Sequence, residues 1–245
     1  MSDEHTVLVL GGTGRTGGGV LEQLLSRGVA VRAIVRSAGR LPAGAAGHAG
    51  LTVVEADLLS LSDDGLRRHV AGCDAVISCL GHVMSLKGMF GAPRDLVTRA
   101  TTRVCQAIQA LRPAEPVRLV LMSSVSVNRP GGLDTRRGKM ERAVVWLLRA
   151  LLPPPRDNQE AAGSLYGTIG PADPYVRWVA VRPDSLLEGD VSEYVLHEGL
   201  VSSLAHPDST NMANVAHFMC ELVVNPVLFA DWTGKMPVIV NAVSE

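Results

Sequence analysis

Thr6-Val7-Leu8-Val9-Leu10-Gly11-Gly12-Thr13-Gly14-Arg15-Thr16-Gly17 is the stretch whose reading decides the fold. Alternating β-branched and leucine side chains run straight into glycines at 11, 14 and 17, and an apolar helical pattern follows at once. The segment therefore predicts strand, tight turn and helix. Glycines let the backbone turn sharply and approach a diphosphate closely, while the helix start behind them offers free N–H groups and a partial positive charge. Phosphate is the natural guest. The spacing is GxxGxxG rather than the GxGxxG of many dehydrogenases, and a turn that only packs a helix on a sheet would share its composition. Its place directly between strand and helix favours nucleotide binding.

Outward from the turn, Val20, Leu21, Leu24 and Leu25 share one helical face, and Gly28 ends that helix. Val29 to Val35 is a second strand, ending in Arg36. The residue at this strand end, about twenty positions past the glycines, divides the two nicotinamide cofactors: an acid bonds the ribose 2′-hydroxyl and an arginine favours a 2′-phosphate. Arg36 has no Asp or Glu beside it, and Arg15 offers a second set of paired donors, so NADP (NADPH) is expected over NAD. An arginine that merely ends a strand is the alternative.

Leu41 to Gly50 predicts a surface loop with a solvated His48, and Leu51 to Ala56 a third strand followed by Asp57-Leu58. Asp57 can accept from an adenine amine or cap its own turn. Ser62-Asp63-Asp64 starts a helix, Ala75 to Cys79 is a fourth strand, and Leu80-Gly81-His82 follows it where ligands line parallel sheets. A long amphipathic helix runs from Arg94 to Leu111, then a fifth strand from Val117 to Met122 with Ser123-Ser124 at its end. Continuous apolar strands alternating with helices predict an α/β fold, a doubly wound parallel sheet with helices on both faces.

The regularity breaks after Gly132. Gly138 to Leu152 predicts a helix with Met140, Val144, Leu147, Leu148 and Leu151 inward, stopped by Pro153-Pro154-Pro155, and Asp157 is expected to cap the next helix. Trp178 to Val181 is a sixth strand, 184 to 208 reads as an irregular lid, Met212 to Val223 as a last helix and Val238 to Val240 as a last strand. Met84, Met89, Phe90 and Trp146 are candidates to line a hydrophobic pocket.

The chain has 245 residues, 47% of them hydrophobic, with 23 basic and 24 acidic side chains. One domain, 1–245, is expected, with 125–175 and 184–208 forming the substrate side. A net charge of −1 gives no general attraction for nucleic acid or acidic membranes, and three each of Trp, Tyr and Phe make no stacking platform. Cys73, Cys79, Cys105 and Cys220 show no CxxC spacing and read as buried small hydrophobes, and no metal is expected. A short acidic start and the lack of an apolar run of about eighteen residues predict a cytoplasmic protein, monomer or homodimer, with a small-molecule substrate.

The order of these motifs resembles the atypical short-chain dehydrogenase/reductases with NAD(P)-binding Rossmann cores, of the NmrA-like and biliverdin-IXβ-reductase-like kind. The matching stretches are Val9 to Gly17, Val31 to Ser37, Asp57-Leu58, Ser123-Ser124, Val179 to Pro183 and Asn211 to Ala216. The resemblance implies that Gly11, Thr13, Gly14, Arg15, Thr16 and Gly17 bind the diphosphate and Arg36 the 2′-phosphate. Asp57 and Leu58 would flank the adenine, with Leu80, Gly81 and Ser123 on the nicotinamide side and Ser124 facing nicotinamide and substrate. Two departures matter. None of Tyr166, Tyr175 and Tyr194 has a lysine four residues on, so the usual Tyr/Lys acid is missing. The histidine that follows an aspartate in the biliverdin-type reductases is replaced in Asp157-Asn158, which leaves these two as candidates for the acid's place. A reductase without a standard acid and an NADP-binding redox sensor both follow.

Overall fold

A computed structural model describes residues 5–82, 91–130, 134 and 136–242. The first half builds β1 (Thr6–Leu10), α1 (Arg15–Ser26), β2 (Ala30–Val35), β3 (Leu51–Glu55), α2 (Asp63–Val70), β4 (Ala75–Ser78), α3 (Leu96–Leu111) and β5 (Val117–Met122). The second half adds α4 (Lys139–Leu151), α5 (Pro153–Ser164), β6 (Val176–Pro183), β7 (Ser185–Leu187), β8 (Tyr194–His197) and β9 (Ser209–Asn211). It closes with α6 (Met212–Val224), α7 (Pro226–Trp232) and β10 (Val238–Asn241).

The main sheet runs β3-β2-β1-β4-β5-β6-β10-β8, every neighbouring pair parallel except β8 on β10. The chain leaves β1 in one direction towards β3 and returns across it to β4. A crevice therefore opens at the carboxyl ends of β1 and β4. Strand alternation divides the core. Leu8, Leu10, Val76, Leu119, Leu121 and Trp178 pack with Leu66, Val104 and Ile108 of α2 and α3 on one face. Val7, Val9, Ile77, Val120 and Val179 pack with Leu21, Leu24, Phe218 and Leu222 of α1 and α6 on the other. The central strands β1 and β4 are apolar on both sides because both sides are covered, as the continuous runs predict, whereas the edge strand β3 is largely exposed.

Two stretches depart from the sequence pattern. Residues 184–208 are not simply irregular: β7 pairs with β9, and β8 closes the edge of the main sheet against β10. Asp184 pins the segment, since its carboxylate accepts from the Ser185 amide at 2.7 Å, the Asp208 amide at 3.2 Å and the Ser202 hydroxyl. In α4 the expected inward set of Met140, Val144, Leu147, Leu148 and Leu151 is exposed, and Val145 is the buried residue. The helix is amphipathic, but the stripe says only which residues share a face, not which face meets the core. Pro153 and Pro154 open α5 rather than only stopping α4, because proline in a first turn forfeits no helical bond.

Among the described residues no single helix is long and apolar enough to cross a membrane. Cys73, Cys105 and Cys220 are buried and Cys79 lies partly covered beneath the glycine turn.

Candidate active site

Between β1 and α1 the chain makes a turn that only glycine permits at two positions. Gly11 has φ +80°, and a Cβ there would lie 2.6 Å from the carbonyl oxygen of Cys79. A Cβ on Gly17 would lie 2.2 Å from the carbonyl oxygen of Gly11. Helix and turn thus touch through backbone alone, and the Gly14 amide donates to Gly11 O at 2.9 Å. Gly14 caps α1 without a side chain, so no side chain competes for the first-turn amides. This cradle fits a phosphate-bearing group.

Gly11, Thr13, Gly14, Arg36, Asp57, Leu58, Leu80 and Gly81 line one cleft of about 190 Å³, joined by Arg40, Pro93 and Leu96. The enclosed space is smaller than the roughly 300–1,000 Å³ of a whole-ligand site, and suits one half of a dinucleotide. Arg40 escaped sequence reading. It ends a short helical turn, Ala38–Arg40, that follows β2 and brings a second guanidinium beside Arg36.

The other expected residues are placed differently. Arg15 lies 3.6 Å from Glu188 just past β7, an exposed pair worth little by itself. Thr16 and Gly17 are buried in the first turn of α1 behind the cleft. Asp57 caps its own turn, its carboxylate accepting from the Leu59 amide at 3.0 Å, and it also lines the cleft. At the end of β5, Ser123 is buried, and its hydroxyl has no partner among the described residues. The Ser124 hydroxyl is 2.6 Å from that of Ser126, whose amide also donates to it at 3.1 Å. Met84, Met89 and Phe90 lie outside the described residues, and Trp146 faces outward from α4, away from any pocket wall.

Asp157 corrects the sequence expectation. It sits inside α5 with its side chain 0% exposed, so it neither caps its own helix nor fronts the cleft. Instead it caps α3: its two carboxylate oxygens accept from the Val97 amide at 2.8 Å and the Thr98 amide at 2.9 Å. The Thr98 hydroxyl returns to the Asp157 carbonyl at 2.9 Å. The same carboxylate lies 2.8 Å from Nε2 of His82, whose side chain is 4% exposed. Asn158, the next residue of α5, is half-buried and does not line the cleft. His82 follows Leu80 and Gly81 in the chain, but its buried side chain turns to Asp157 and is not among the residues that line the cleft. No local spacing could have found this pairing, because the partners are 75 residues apart.

Helix α5 also grips the loop after β5. Gln159 accepts from the Asn128 amide at 2.8 Å and donates to its carbonyl at 3.2 Å. Arg137 and Arg149 donate to the carbonyls of Val125 and Ser126. Burial and the neighbouring Arg137 charge pull Arg149 down to about 10. Behind the loop, Arg182 is fully buried and donates to Asp134 at 2.7 Å, Met236 O at 2.8 Å and Val127 O at 3.1 Å. Burial alone would raise the Asp134 carboxyl, but the Arg182 hydrogen bond and the Arg129 amide hold it below its ordinary value. These contacts fix the serines of the loop relative to the strand ends.

Residues 11–226 match the model of a family described as NAD(P)H-binding. The chain belongs to that family. In this NAD(P)H-binding protein the match spans the glycine turn and the strand ends that line the cleft, which agrees with the sequence resemblance. Curated proteins yield no match to the sequence. Solved structures share the fold over nearly full length. An anaerobillin reductase from Escherichia coli O157:H7 is 18% identical, covering 98% of this chain and 98% of its own, with a TM-score of 0.67. A proposed NADH-flavin reductase from Streptococcus pneumoniae is 16% identical, covering 97% and 100%, at 0.64. A proposed NAD-dependent epimerase/dehydratase from Bacillus halodurans is 18% identical, covering 97% and 94%, at 0.67.

Proposed function

We propose that this chain is an NADPH-dependent reductase that passes hydride to a small hydrophobic carbonyl, quinone, flavin or enone-type acceptor. The observation that carries it is the cleft at the glycine turn, walled by Arg36, Arg40, Leu80 and Gly81, with the buried His82–Asp157 pair following that wall in the chain as the candidate to hold a proton. The anaerobillin and flavin reductases among the structural neighbours support the same chemistry. A bound dihydronicotinamide supplies the hydride. The chain then has to hold the acceptor and provide one proton, which is mainly a matter of positioning. Ser124, paired with Ser126, orients the acceptor's oxygen, and His82 holds the proton, kept in place by Asp157.

Loss of NADPH absorbance against a panel of quinones, flavins and enones tests the proposal. Turnover with at least one of them is expected, and tight binding with no oxidation of NADPH would leave the protein a redox sensor. His82→Gln keeps a donor for Asp157 but carries no exchangeable acid proton. It is expected to lower kcat about a hundredfold with the NADPH Kd unchanged.

Arg36 and Arg40 on one wall, with no acid at the end of β2, support NADPH over NADH. Charge-assisted bonds to a 2′-phosphate are worth about 1.5–3 kcal/mol. Arg36→Glu is therefore expected to weaken NADPH binding about 10- to 100-fold while leaving NADH within about threefold, read by titration with each nucleotide. An unchanged preference would remove Arg36 from that role.

A further inference from the structure

Helix α4 turns its most apolar face to solvent. Met140, Val144, Leu147 and Leu151 recur at one-face spacing, and Met140 is 83% exposed, Leu151 63% and the flanking Trp146 70%. Ala143 and Ala150 are exposed beside them. The inward side carries the buried Val145 and occupied polar groups: Glu141 accepts from the Leu204 amide at 3.0 Å and meets Arg137 at 3.4 Å, and Arg149 bonds the Ser126 carbonyl.

The charges decide what such a face meets. The exposed charged side chains of the helix and the turn before it are Arg136, Lys139 and Arg142, all cationic. They cluster at the N-terminal end, where the helix dipole disfavours cations, so they do not serve the helix itself. At the far end Arg156 is paired with Glu160 at 2.7 Å. We propose that this face docks on an anionic phospholipid surface, with Trp146 and the leucines entering the headgroup boundary and Arg136, Lys139 and Arg142 meeting the lipid phosphates. A second copy would bring an equally cationic face with no exposed carboxylate on α4 to meet these charges. Lipid supplies both missing partners at once, apolar depth and negative charge. The net charge of the whole chain does not reveal this, because the cations are local. The proposal goes beyond the reductase assignment and stands or falls separately from it.

The full chain is sedimented with vesicles of equal phosphatidylglycerol and phosphatidylcholine, and with phosphatidylcholine alone. Pelleting with the anionic vesicles, falling with added salt, and a blue shift of tryptophan emission are expected. Trp146→Phe should abolish the shift while pelleting persists. Lys139→Glu with Arg142→Glu should lower partitioning about thirtyfold or more, at an unchanged melting temperature. Equal pelleting of parent and charge variant, no pelleting at all, or a concentration-dependent dimer that shifts Trp146 emission without lipid would each overturn the proposal.

Discussion

Asp134→Asn is expected to cost about 3–5 kcal/mol of folding stability, although the residue touches neither the cleft nor the glycine turn. Arg182 is 0% exposed, and Asp134 is the carboxylate that balances it. Removing that charge leaves a buried guanidinium facing the carbonyls of Val127, Met236 and Glu198. For a chain of this size each kcal/mol moves Tm by about 2–4 °C, so a fall of roughly 10 °C in thermal unfolding is expected. Arg182→Met combined with Asp134→Asn should recover part of the loss, since replacing the guanidinium with an apolar side chain removes the unpaired charge. If the double variant is no better than the single, the loss does not come from an uncompensated charge. The pH dependence has a definite sign. The Asp134 carboxyl is held below its ordinary value in the fold, so its contribution is complete above the unfolded carboxylate range and disappears as pH falls through the folded value. Acid melting curves of parent and Asp134→Asn should therefore converge below about pH 4.

Gly17→Ala is expected to raise the Kd for NADPH at least about a hundredfold, measured by calorimetric titration. The added Cβ would stand 2.2 Å from Gly11 O and 3.2 Å from the Cys79 Cβ. Neither neighbour yields easily: Gly11 O is bonded by the Gly14 amide and is therefore part of the cradle itself. Pushing the turn off the helix by even a fraction of an ångström misaims every amide meant for phosphate, and costs about 1–3 kcal/mol of stability as well. Gly19→Ala is the internal control, because its Cβ would meet the Ala216 Cβ at 3.4 Å, an ordinary contact, and alanine favours the helix. Normal NADPH binding by Gly17→Ala would mean that the close approach does not shape the site.

The parts of this architecture legible in the sequence are those written in local pattern. Val7 to Leu10, Val76-Ile77 and Leu119 to Leu121 are apolar without interruption because each strand is covered twice, and that condition fixes both the strand and its neighbours. The glycine turn is legible for a similar reason, since its spacing is local even though the approach of Gly11 to Cys79 is not. Asp157 is the opposite case. Its spacing in the chain suggests a cap for its own helix, and the helix it caps begins at Leu96, with the Val97 amide it accepts from lying 60 residues earlier. The sequence does place His82 just after β4, but its pairing with Asp157 is invisible for the same reason. Helix α4 fails differently: its stripe is real, but periodicity records which residues share a face and is silent on what that face meets. Strand β8 has four residues and gains its register only from β10.

Cys79 sits partly covered under the glycine turn, and burial pushes its thiol far above the usual range, while Cys105 and Cys220 are each raised to about 12. Reactive electrophiles and oxidants attack thiolates, and at neutral pH these side chains hold essentially none. Quinones and enones are such electrophiles. On the proposed reductase reading, raised thiol values keep the chain's own cysteines, Cys79 of the cleft wall included, from consuming such acceptors. Native protein should take up iodoacetamide orders of magnitude more slowly than the urea-unfolded chain, followed by mass spectrometry, and rapid labelling of Cys79 in the folded state would contradict it.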